Sequence, residues 1–144
     1  STMKILFVCL GNICRSPLAE GILSHINPDI IVDSAGTSNY HIGNPPDSRM
    51  IETAKAYGID ISNLAARQFT SNDFDKFDKI FVMDSENYNN VVALAQNESQ
   101  MEKVYHTLSD NRNVPDPYFG GKDGFIQVYE LVYDACQKIN HEIQ

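Results

Sequence analysis

The run Cys9-Leu10-Gly11-Asn12-Ile13-Cys14-Arg15-Ser16-Pro17 holds residue types at a spacing that could do chemistry. A cysteine opens it and an arginine follows six residues later. Ionised sulfur is a nucleophile. A guanidinium grips two oxygens of a phosphate with its planar fork. The apolar Ile5-Leu6-Phe7-Val8 ahead of the run reads as a buried strand. Leu18-Ala19-Glu20 behind it opens a helix, with Pro17 suited to the first helical position. A strand-to-helix loop turns backbone N–H groups outward at the positive end of a helix dipole, which makes an anion site. A thiolate and a phosphate clamp at one helix N-terminus are the parts for attack on a phosphate ester.

Other elements must hold that loop. Residues 4–9 read as a central parallel strand, apolar on both faces. The first helix is expected over 17–25 and ends at Asn27-Pro28-Asp29. The β-branched stretch 30–34 predicts a second strand, closed by Ala35-Gly36. Residues 37–47 form a long loop, and a helix follows to Tyr57 with Gly58 as its cap. Leu64 to Gln68 fits either a loop or a helical turn, and Ser71 caps a short helix to Phe74. A third strand covers 79–83, a helix runs from Asp84 to about Ala95, and 103–106 is a short fourth strand. The last helix, about 122–143, places Phe125, Val128, Val132, Cys136, Ile139 and Ile143 at helical spacing. Strands alternating with helices imply an α/β fold with a parallel sheet and right-handed crossovers. Ligands of such sheets bind beyond the carboxyl ends of the strands. Those ends deliver Cys9, Ser34, Asp84 and, through a loop, Asp116 to one edge.

Size and charge narrow the class. A chain of 144 residues is read as one domain, 1–144, with Ser1-Thr2 ahead of Met3 a possible cloning remnant. Apolar residues make up 42%, an ordinary globular share. The apolar run 5–10 is too short to span a bilayer, and with no basic stretch before it and no small-residue cleavage site after it a secretory signal is not expected. Membrane insertion is therefore not expected. The net charge of −8 argues against nucleic acid, whose binding rests on Lys and Arg. Three cysteines, an odd number, fit free thiols in a reducing, cytoplasmic setting. His25, His41, His106 and His141 lack metal-ligand spacing, so neither a metal nor a cofactor is expected.

The nine-residue run, together with the distant Asp116-Pro117-Tyr118, resembles the signature of the low-molecular-weight protein tyrosine phosphatases, and the resemblance spans nearly the whole chain. It implies a three-layer, phosphotyrosine phosphatase I-like domain with strands ordered 2-1-3-4. It implies hydrolysis of phosphotyrosine in proteins, and of small aryl phosphates, through a phosphocysteine on Cys9. Phosphate would be both product and inhibitor. Arg15 and the N–H groups from Leu10, Gly11, Asn12, Ile13 and Cys14 to Arg15 would cradle the phosphate. Ser16 could donate to the Cys9 sulfur or simply cap the helix. Asn12 tolerates a left-handed backbone, and its side chain would hold the loop with help from Ser34. A histidine joins that network in some members, and this chain carries Leu64 there. Asp116 would be general acid, then general base. Tyr40 and Tyr118 could wall the cleft or anchor loops, and relatives suggest Tyr118 as a phosphorylation site. Asp84 could brace the loop beside Arg15, although a helix cap is the plainer reading. Cys14 could form a reversible disulfide with Cys9; Cys136 reads as core.

Three relatives in chemistry stay in view: arsenate reductase, protein arginine phosphatase and a cysteine phosphocarrier. The first needs further cysteines, absent from 78–90. The second tends to carry Thr where Ile13 stands. A carrier must keep its phosphocysteine, and Asp116 and Arg15 speak for hydrolysis. A silent phosphotyrosine-binding module would not need Cys9, Arg15 and Asp116 together.

Overall fold

A computed structural model describes residues 2–117 and 120–144. Its centre is β1 (Lys4–Cys9), which is buried from Ile5 onward. It pairs in parallel with β2 (Ile31–Gly36) on one side and β3 (Lys79–Val82) on the other, and β3 pairs in parallel with β4 (Val104–His106). The sheet order is thus β2-β1-β3-β4, as the resemblance implies. The register sets Phe7 opposite Ser34, Cys9 opposite Gly36 and Val8 opposite Val82.

Alternation along β1 feeds two cores. Ile5, Phe7 and Cys9 face α1 (Arg15–Ile26), α2 (Ser48–Ala56) and α6 (Gly121–Ile143), meeting Leu18, Ile22, Met50 and Val132 among others. Leu6 and Val8 face α3 (Asp73–Lys76) and α4 (Ser85–Val92), meeting Phe74 and Val91. Helices on both faces bury both sides of the sheet, which explains the unbroken apolar run of β1. The fold is a single α/β domain of three layers.

Four expectations change in detail. Helix α1 starts at Arg15, so Pro17 is its third residue; the first helical bond comes from Leu18 N–H to Cys14 O at 3.3 Å, and no bond is lost to the proline. Ser16 is accordingly no N-cap; Cys14 holds that place without a side-chain bond. Ser71 does not cap α3: Asn72 precedes it, and the Asp73 carboxylate takes the Thr70 N–H at 2.9 Å. A further short helix, α5 (Glu98–Met101), follows α4. None of its residues is buried, so no apolar period marks it. Its cap, Asn97, accepts the Gln100 N–H at 2.9 Å. Among the described residues, no helix is long and apolar enough to cross a membrane.

Candidate active site

Residues 10–14 leave the C-terminal end of β1 and curl to the start of α1. The chain after β2 clasps them: Thr37 N–H donates to Cys9 O and Ser38 N–H to Leu10 O, both at 2.9 Å. Gly36 permits the clasp. A Cβ there would stand 2.8 Å from Leu10 O, inside any real contact distance. Within the curl Asn12 takes φ = 57°, the left-handed region foreseen for it.

The side chains then form one network. Asn12 N–H points at the Cys9 sulfur at 3.3 Å, and the Ser16 hydroxyl lies 3.0 Å from the same sulfur. The Asn12 amide donates to Ser16 Oγ at 2.8 Å and to Ser34 Oγ at 2.9 Å. Its own oxygen accepts Arg67 N–H at 3.0 Å, which fixes which end of the amide donates. Cys9, Asn12, Ser16 and Ser34 are all buried.

Arg15, at the first position of α1, is 4% exposed. Its Nη1 donates to Asp84 Oδ2 at 2.8 Å and to the Val114 carbonyl at 2.9 Å. Burial works against its charge, but the Cys9 sulfur, Asp84 and Asp116 outweigh it and raise its pKa. Asp84 also caps α4 in a reciprocal box with Asn87. The cap and the brace, offered as alternatives by the sequence, coexist.

These parts open into a cleft of about 190 Å³ lined by Cys9, Leu10, Gly11, Ile13, Cys14, Arg15, Tyr40, His41, Asp47, Asp116 and Phe125. Tyr40 stands at the rim, 75% exposed. Asp116 lies on the same lining, close enough to Arg15 and Cys14 to act on their charge. Burial, followed by Cys9, Asp47 and Asp116, pushes the Cys14 thiol up. All three cysteines are free thiols, and Cys136 is core. Tyr118 lies outside the described residues.

Sequence reading passed over several neighbours. His41, Asp47 and Phe125 line the cleft. Arg67 grips Asn12 through its backbone while its guanidinium spans Asp33 and Asp73 at 3.0–3.1 Å. The stretch 64–68, open between loop and helix in the sequence, is no helix: Gln68 makes a parallel bridge to Gly36. Leu64 turns to the larger core. Glu20 accepts the Ser34 hydroxyl at 2.6 Å, and burial moves its pKa up to about 7. One signal was available: Glu20 sits four residues after Ser16, on the same helix face.

Fold and cleft define the class, a protein tyrosine phosphatase. Residues 4–144 match the family model described as low molecular weight phosphotyrosine protein phosphatase, and the chain belongs to that family. It is 39% identical to the low molecular weight protein-tyrosine-phosphatase YfkJ of Bacillus subtilis, over 99% of this chain and 96% of that one. It is 37% identical to the human low molecular weight phosphotyrosine protein phosphatase, over 95% and 93%. Among solved structures, Vibrio vulnificus Wzb in complex with benzylphosphonate superposes with a TM-score of 0.91 at 33% identity, covering 99% of each chain.

Proposed function

We propose that the protein hydrolyses phosphotyrosine in proteins and peptides, and small aryl phosphates, in two steps at Cys9. The Cys9 thiolate attacks phosphorus while the P–O bond to the phenol breaks. Asp116 gives its proton to the departing phenolate. In the second step Asp116 takes a proton from water, the hydroxide displaces sulfur, and phosphate leaves. Product phosphate competes for the same cradle and inhibits.

The observation that carries this reading is the set of donors aimed at one sulfur. Asn12 N–H and the Ser16 hydroxyl both reach it. Both amide hydrogens of Asn12 are spent on hydroxyl oxygens, one of them Ser16 Oγ. The Ser16 proton is thereby turned to the sulfur, since its other acceptor, Ala35 O, is at 3.4 Å. Donors of this kind stabilise sulfur as an anion, both as nucleophile and as leaving group. Arg15 commits Nη1 to Asp84 and Val114. The other edge of its fork, Nε and Nη2, meets two equatorial phosphate oxygens. Backbone N–H groups of residues 10–15 complete the cradle. Tyr40, exposed at the cleft rim, flanks the substrate ring. Cys14, kept as a thiol, resolves an oxidised Cys9 as a reversible disulfide. The reducing setting this requires is the cytoplasm.

Turnover of phosphotyrosine, phosphoserine, phosphoarginine and arsenate, each measured on the wild type and on Cys9→Ser, tests the reading. Phosphotyrosine is expected to be turned over well ahead of the others, and the variant to lose all turnover while still binding phosphate. Activity retained by Cys9→Ser removes the nucleophile. A preference for phosphoarginine or arsenate reassigns the substrate.

A further inference from the structure

A chain of side-chain hydrogen bonds joins the Glu20 carboxyl to the Cys9 sulfur. The path runs Glu20 Oε1, Ser34 Oγ, Asn12 Nδ2, Ser16 Oγ, Cys9 Sγ, with links of 2.6, 2.9, 2.8 and 3.0 Å. Glu20 and Ser16 stand on one face of α1, a turn apart, while Ser34 comes from β2, Asn12 from the curled loop and Cys9 from the end of β1. With Glu20 ionised, the donors along it have one consistent assignment. Arg67 N–H holds the Asn12 oxygen, so the Asn12 nitrogen must donate to both hydroxyls. Ser34 then receives from Asn12 and must give its own proton away. Glu20 is where that proton goes.

We infer that Glu20 is a positioning residue for the phosphatase reaction: by accepting the Ser34 hydroxyl it leaves Ser34 an acceptor toward Asn12, which holds the Asn12 amide and so keeps the Ser16 hydroxyl turned to the Cys9 sulfur. This rests on the reading of Cys9 as nucleophile and extends it to a residue outside the cleft lining. The charged groups facing Glu20 are Asp33 on β2, which opposes its ionisation, and Arg67 from the 64–68 stretch, which favours it. Arg67 spends its guanidinium on Asp33 and Asp73. Glu20 therefore has a hydroxyl partner and, among the described residues, no ion pair. Burial moves its pKa up to about 7. A carboxylate is a stronger acceptor than a carboxylic acid, and hydrogen bonds in a chain strengthen one another. The path tightens as pH rises through that point.

The test uses Glu20→Gln, which keeps an acceptor oxygen but cannot ionise, and Glu20→Ala, which keeps neither. Two readouts are followed from pH 5 to 9: kcat and KM for p-nitrophenyl phosphate, and the rate of Cys9 alkylation by iodoacetate, located by peptide mass. Glu20→Ala is expected to lower kcat by about tenfold with KM within twofold, and to slow alkylation. Glu20→Gln is expected to keep kcat within about threefold and to lose an inflection near pH 7 that the wild type shows in both readouts. A kcat in Glu20→Ala within twofold of wild type overturns the inference, as does an unchanged pH profile in Glu20→Gln. So does a fall in which both variants lose rate equally. Alkylation reads the sulfur directly, so a wild type inactive on phosphate esters sinks the proposed function without deciding this one.

Discussion

At the scale of single residues, the site divides its tasks among groups whose surroundings differ. Cys9 and Arg15 are buried and tied, whereas Asp116 lines the cleft from its exposed rim. The division bears on the acid step proposed for Asp116. A proton donor matters most when the leaving group is a strong base, so Asp116→Ala is expected to slow phenyl phosphate by about 100-fold and p-nitrophenyl phosphate by much less. Steady-state rates across a series of substituted phenyl phosphates measure this as a steeper dependence on leaving-group basicity. An equal loss across the series would assign Asp116 to binding instead. The residues doing this work were readable because each is tied to local chain geometry. A cysteine at a strand end, an arginine at a helix start and an Asn able to go left-handed announce themselves. Arg67 did not, and Glu20 did so only through its spacing from Ser16, because their task depends on partners 55 and 14 residues away.

At the scale of elements, the loop owes its shape to a close approach between two pieces of chain. Gly36 ends β2 against the peptide groups of Leu10 and Gly11. A Gly36→Ala methyl would meet rigid backbone, not a flexible side chain, so the loop must move. Overpacking of this kind costs about 1–3 kcal/mol. Gly36→Ala is expected to lower Tm by several degrees and to lower kcat as well, since the displaced atoms adjoin Asn12. Thermal unfolding and p-nitrophenyl phosphate turnover check both halves. Normal stability with normal turnover would show that the clasp has slack. Strands β1 to β4 and helix α6 follow from apolar period and β-branched runs. The 64–70 stretch has no such period. It takes its path from the Arg67 guanidinium between two carboxylates and from the Gln68 bridge to Gly36, and sequence spacing carries neither.

At the scale of the whole molecule, the buried Glu20 couples the site to folding. Its pKa rises from 4.5 to about 7 in the folded state. Between those values the folded chain holds a proton that the unfolded chain has shed, so stability falls as pH rises through this window. The loss is complete above about pH 7 and amounts to at most about 3 kcal/mol. Glu20→Gln removes this contribution. The variant's stability is expected to change less between pH 5 and pH 8 than that of the wild type, measured as the denaturant midpoint at each pH. An identical difference in both proteins would mean that Glu20 ionises freely in the fold. The net charge of −8 was legible from composition, and it left open how an acidic chain receives anions. Arg15 answers part of that locally, with a positive charge held in place by Asp84.

The Val114 carbonyl bonded to Arg15 has one more result. Val114 is fully buried, and its N–H is bonded to Met83 O at 2.7 Å. It therefore moors the chain two residues before Asp116. A tether of two residues reaches about 7 Å. The Asp116 backbone is therefore held within that distance of a buried anchor. The guanidinium braced by Asp84 is thus also the post to which the chain carrying Asp116 is tied.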